Sequence, residues 1–127
     1  MLGDAPVLAM IPATDLARAK AFYSDTLGLK LVDETAEDVT FESGGTRFGM
    51  YETPSGGQAA HTLASFKVGD LDAEMAALRD RGVTFEEYEF PGLTTKGGVA
   101  VGSDGLRAAW FKDCEGNILC LAERPAA

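Results

Sequence analysis

A chain of 127 residues with 46% hydrophobic and 24% charged side chains is of a size to bury roughly two thirds of its unfolded surface in one globular domain, with room for a core and a pocket. Eleven basic against twenty acidic residues leave a formal charge of −9, which argues against nucleic acid or an anionic membrane surface as a partner. Two cysteines, Cys114 and Cys120, are too few and too close for a disulfide framework, no signal pattern precedes Val7, and no apolar run nears the ~20 residues of a membrane helix, so a soluble, reduced, cytoplasmic protein is expected.

The first six residues carry little pattern. Residues 7–11 form a continuous apolar run, as expected of a strand covered on both faces, and Pro12, which has no N–H to give, is expected to end it. Asp15 is placed to cap a helix over residues 16–27, because its carboxylate accepts from the free N–H groups of the first turn. Leu16, Ala19, Phe22, Tyr23 and Leu27 recur at helical spacing, so this helix buries one stripe against a sheet. Strands are predicted at 29–33, 38–42 and 47–52, separated by the polar turn 34–37 and by Gly44-Gly45. The stretch 53–60, TPSGGQAA, reads as a linker.

Beyond it the order recurs: a strand at 62–68, a helix at 71–81 capped by Asp70, and a strand at 83–88. Asp15 and Asp70 lie 55 residues apart and the helix-ending glycines, Gly28 and Gly82, lie 54 apart, so the two copies differ by one residue between cap and glycine. Residues 89–106 are rich in glycine and carry Pro91, which predicts a loop or irregular hairpin, either a lid or a surface excursion. Strands at 107–112 and 118–123 close the chain around the turn 113–117. The predicted class is α+β, a single domain built of two βαβββ modules over about residues 7–52 and 61–123.

Asp15-Leu16 with Ala21-Phe22-Tyr23, then Thr26-Leu27-Gly28-Leu29, and finally the run from Trp110 through Asp113 to Gly116-Asn117 resemble the vicinal oxygen chelate superfamily, which includes glyoxalases, extradiol dioxygenases, fosfomycin-resistance transferases and bleomycin-binding proteins. The resemblance spans about residues 7–123. It implies that the sheets of two βαβββ modules curl into a half-open barrel around a cavity, usually completed as a homodimer. Family enzymes hold a divalent metal from strand positions that correspond here to Leu8, Gly49, Leu63 and Cys120. That set offers one thiol where about three His, Asp, Glu or Cys donors are needed, so no metal cofactor is expected. A displaced site built from His61, Cys120 and a carboxylate such as Glu52 is the alternative.

Without a metal the cavity becomes a mostly apolar pocket. Period-two counting places Leu8, Met10, Arg47, Gly49, Tyr51, His61, Leu63, Ser65, Ile118 and Cys120 on its wall, with an aromatic face from Trp110 or Phe111. The expected ligand-binding residues are therefore Met10, Arg47, Gly49, Tyr51, His61, Leu63, Ser65, Trp110 and Cys120. The function expected is metal-free binding of a small, partly apolar or aromatic molecule, as in the glyoxalase-like and bleomycin-resistance relatives. The alternative is a lyase, isomerase or dioxygenase with an unconventional metal site or none.

Overall fold

The computed structural model describes residues 1–125, and the chain divides into two compact units after Gly57. In the first unit a short 3-10 turn at Leu2–Asp4 leads into β1 (Ala9–Ala13), α1 (Leu16–Ala21), a π-helical turn (Phe22–Thr26), β2 (Lys30–Glu34), β3 (Asp38–Ser43) and β4 (Thr46–Glu52). The sheet order is β1-β4-β3-β2, with β1 parallel to β4 and the other pairs antiparallel. Short turns force the antiparallel pairs, whereas the helix carries the chain away from β1 and lets β4 return beside it in parallel. Gly44 and Gly45, at φ of 57° and 82°, close the two-residue hairpin between β3 and β4.

Asp15 caps α1 as expected, its Oδ1 accepting from the Arg18 N–H at 3.0 Å, and Glu52 at the end of β4 adds a second acceptor, its Oε2 taking the Leu16 N–H at 3.2 Å. Leu16, Ala19 and Tyr23 are buried, and Tyr23 packs on Phe41 and Phe48 at ring separations of 5.7 and 5.9 Å. Each such aromatic contact contributes about 1 kcal/mol beyond the area it buries.

Two expectations for the first strand need correcting. Pro12 does not end it but sits inside β1, which is tolerable because β1 is an edge strand, where the ladder runs along one side only of the strand. Nor are both faces covered: Ile11 and Ala13 are buried, while Val7, Leu8 and Met10 are exposed.

The second unit repeats the plan with β5 (Thr62–Val68), α2 (Leu71–Asp80), a small hairpin of β6 (Glu89–Phe90) and β7 (Leu93–Thr94), then β8 (Ala100–Val101), β9 (Arg107–Lys112) and β10 (Ile118–Glu123). Its sheet runs β5-β10-β9-β8, with β5 parallel to β10, the same permutation as in the first unit. Leu71, Met75 and Leu78 of α2 are buried, as are Ala109, Phe111, Leu119 and Leu121 of the sheet. Arg107 ties the start of β9 to the first turn of α2, with nitrogens 3.1 and 3.2 Å from the Asp72 carboxylate and 3.0 and 3.2 Å from Glu123 Oε1.

The strand expected over residues 83–88 is reduced to one bridge, Phe85 with Phe111, and one hydrogen bond, Glu86 N–H to Trp110 O at 2.8 Å. The chain then leaves the sheet, and β8 pairs with the remaining length of β9 through Ala100 with Ala108 and Val101 with Arg107. One edge is thus shared by two fragments, because the Pro91-Gly92 turn diverts the chain between them.

Helix α2 ends in a Schellman arrangement: Val83 N–H bonds to Leu78 O, Gly82 N–H bonds to Arg79 O, and Gly82 has φ of 90°. At the equivalent place in the first unit the helix widens, Leu27 N–H reaching Phe22 O and Leu29 N–H reaching Tyr23 O on either side of Gly28, which turns the chain at φ of 74°. The extra residue between Asp15 and Gly28 is accommodated there as a π-turn. Both sheets are open, with β1 and β2 at the edges of one and β5 and β8 at the edges of the other, and the α+β class is the one expected. Among the described residues no helix is long and apolar enough to cross a membrane.

Candidate functional site

In each unit the helix covers one face of the sheet, and strand alternation sends every second side chain to the opposite face. On that opposite face of the first unit lie Met10, Arg47, Gly49 and Tyr51, with Met10 directly beside Gly49 in the β1–β4 register. Met10 and Tyr51 are 42% and 40% exposed, and together with Glu37, Asp38 and Glu52 they line a depression of about 440 Å³. Arg47 points away from it toward Glu42, Nε to Oε1 3.5 Å.

Gly49 does not face empty space. A methyl group placed on it would lie 2.6 Å from Met10 Sδ and 3.2 Å from Leu8 Cδ2, so the glycine is what lets the Met10 thioether lie down on β4. Both neighbours are flexible and partly exposed. Gly49→Leu is therefore expected to expel Met10 from its seat at a cost of about 1–2 kcal/mol by urea denaturation, toward the low end for overpacking; a loss above 4 kcal/mol would show that the Met10 seat cannot yield.

In the second unit Cys120 stands between Ser65 on β5 and Trp110 on β9 in the sheet register. It is 5% exposed, and burial pushes its thiol above the usual range, with partial relief from a Ser65 hydrogen bond and from Lys67. A thiol held neutral in this way is a poor nucleophile and a poor metal ligand. Trp110 is half-buried on the same face, its Nε1–H donating to Thr62 Oγ1 at 3.1 Å. Phe111 points the other way, 1% exposed and edge-on to Phe85 at 5.6 Å. Trp110 is thus the residue that supplies the aromatic face.

Two residues absent from the sequence-based set join it. Tyr88 lies edge-on to Trp110 with ring centroids 5.9 Å apart, and Phe90 stacks on Tyr88 at 5.6 Å and 26°. Burial, then the charge of Glu86, raises the Tyr88 hydroxyl above its ordinary value, so it stays protonated and able to donate. The alternation of Glu86, Tyr88 and Phe90 was the available signal.

Of the expected residues, Ser65, Trp110 and Cys120 are brought together, and Leu63 sits half-buried at the β-bulge where the β5–β10 register slips. His61 is exposed ahead of β5, its Nδ1 3.1 Å from Thr62 O. Because Cys120 pairs with Ser65, His61 is four positions upstream, about 13 Å along the strand at the normal rise.

The residues do not fit a divalent catalytic ion. Leu8, Gly49 and Leu63 have no donor atom and Cys120 keeps its proton, while Glu52, the carboxylate considered for a displaced site, is engaged with the Leu16 N–H. Among the described residues no three His, Cys, Asp or Glu side chains converge on one point.

The fold is thus a repeated strand-helix-strand module, with the helix on one face of each four-stranded sheet. The chain belongs to the Glyoxalase/Bleomycin resistance protein/Dioxygenase superfamily, whose sequence profile matches residues 6–121. Similar solved structures include a bleomycin-binding protein complexed with bleomycin, 18% identical with a TM-score of 0.72 over 94% of this chain and 98% of that one. Lactoylglutathione lyase from Agrobacterium tumefaciens is 18% identical, with a TM-score of 0.70 over 94% and 93% of the two chains. TnmS3, an antibiotic binding protein from Streptomyces sp. CB03234, is 21% identical, with a TM-score of 0.66 over 95% and 98%. At these identities the likeness establishes the fold. No curated protein matches the chain.

Proposed function

We propose that the protein is a metal-free binder of a small, partly aromatic molecule, with the two modules working as one domain. The observation that carries this reading is the Trp110–Tyr88–Phe90 patch beside the buried Cys120 thiol, in a donor set that does not suit a catalytic ion. An apolar, aromatic surface with a few placed polar groups, here Thr62, Ser65 and the Tyr88 hydroxyl, is the ordinary make-up of a small-molecule site. Two of the similar structures, the bleomycin-binding protein and the antibiotic binding protein, are binders by their own description.

Trp110 is the sole tryptophan, so its fluorescence reports directly on this face. Titration with bleomycin and with a panel of neutral aromatic compounds should give a saturable change in Trp110 fluorescence, calorimetry should show the same binding weakened in Trp110→Phe, and native mass spectrometry should reveal any small molecule that co-purifies. A stoichiometric zinc, nickel, manganese or iron that raises the melting temperature would overturn the reading and favour the lyase or dioxygenase alternative. The reading also includes a homodimer in the cytoplasm; the dimer is in keeping with β1 and β5 standing at sheet edges, which a second chain can cover. Light scattering at micromolar concentration is expected to give about twice 13.4 kDa; a monomer would refute this part.

A further inference from the structure

We infer that the β6–β7 hairpin is an aromatic lid, with Phe90 closing on a planar aromatic ring held against Trp110; the inference rests on the binding reading above and names the ligand class. The hairpin forms a two-stranded sheet of its own, only two residues per strand, separate from the β5-β10-β9-β8 sheet. Such a ribbon has little stability by itself. Its turn is Pro91-Gly92, with Gly92 at φ of 86°, and Glu89, Phe90, Pro91 and Gly92 are exposed, Phe90 by 56%.

The base of the hairpin is built differently. Tyr88 N–H donates to Thr95 Oγ1 at 2.7 Å, Thr95 N–H to Tyr88 O at 2.9 Å, and Thr95 Oγ1–H to Glu87 Oε2 at 2.6 Å. Glu87 also accepts from the Gly98 N–H, and Arg79 of α2 holds Gly97 O at 3.1 Å. A firmly bonded base at residues 88 and 95 with a soft tip beyond it is the arrangement of a hinge and flap. The tip carries one large exposed apolar side chain, and that side chain already stacks on Tyr88, whose own edge meets Trp110. A flat ring entering beside Trp110 offers Phe90 a face of the same kind to close on.

The test uses the full-length protein and N-phenyl-1-naphthylamine, a neutral fluorescent aromatic probe. Hydrogen exchange without probe should show the amides of residues 90, 93 and 94 exchanging much faster than those of β9, and slowing when probe is added. In stopped-flow measurements Phe90→Ala should raise the dissociation rate about tenfold, the size of one lost aromatic contact, whereas Phe90→Tyr should keep the wild-type rate. Neither variant should shift the melting temperature appreciably, since Phe90 lies outside the helix-side core. Wild-type binding with an unchanged dissociation rate in Phe90→Ala, or hairpin amides as protected as those of β9, would overturn the lid while leaving the binding reading intact. Failure of the wild-type protein to bind any aromatic probe would remove the binding reading and the lid with it.

Discussion

Phe111→Ala is expected to destabilise the protein by about 3–5 kcal/mol and to lower the melting temperature by roughly 10–20 °C. The ring is 1% exposed, is edge-on to Phe85 at 5.6 Å, and lies in the cross-strand register with Leu119, itself fully buried. Removing it leaves a cavity on the face that α2 must cover. Phe85 loses its ring partner as well, although the backbone bridge that joins its segment to β9 remains. Trp110→Ala, one position away on the opposite face, removes a half-buried ring and one hydrogen bond and should cost less than half as much. Equal losses for the two variants, measured by urea denaturation, would show that the two faces are not divided as described.

Asp113→Ala is expected to cost about 3 kcal/mol although no hydrophobic contact is removed. Asp113 is 6% exposed; its Oδ1 accepts from the N–H groups of Glu115 and Asn117 at 2.8 and 2.9 Å, and its Oδ2 accepts from Asn117 Nδ2 at 3.0 Å. Asn117 is fully buried, so truncating Asp113 leaves its donors without that acceptor in the turn that sets β9 against β10. Asp113→Asn keeps one acceptor oxygen but turns an amide toward the Asn117 amide, donor against donor, so an intermediate loss is expected. A wild-type urea midpoint for Asp113→Ala would show that the turn holds through its Gly116 and Asn117 backbone bonds alone.

Elements with strong local signals were legible from the sequence. Strands Thr62–Val68, Arg107–Lys112 and Ile118–Glu123 fall where apolar runs bounded by turns predict them, and both Asp caps accept from the N–H three residues on. What the sequence did not reveal depends on neighbours in space. Pro12 is compatible with a strand only at a sheet edge, and whether β1 is an edge is a property of the whole sheet order. The strand expected at 83–88 has an acceptable local pattern, yet the partner β9 gives part of its edge to β8. For the candidate site, the period-two rule placed Trp110 and Phe111 on opposite faces without saying which was which, and the buried Leu119 opposite Phe111 decides it. Tyr88 and Phe90 were missed because they stand in a hairpin outside the main sheet, and the seat that Gly49 gives Met10 involves a neighbouring strand, which period-two counting along β4 does not show.

The π-turn at Phe22–Thr26 has a wider meaning for a chain made of two similar halves. An inserted residue inside a strand must be absorbed by a bulge, as at Leu63, or it reverses every side chain beyond it, inside to outside. The same insertion in the last turns of a helix rotates a few residues, widens one ring of backbone bonds and is finished by the next glycine. Gly28 still delivers the chain to β2, and the β1-β4-β3-β2 order matches β5-β10-β9-β8 strand for strand. A helix end is thus a place where two such halves can differ in length while the strand order stays the same.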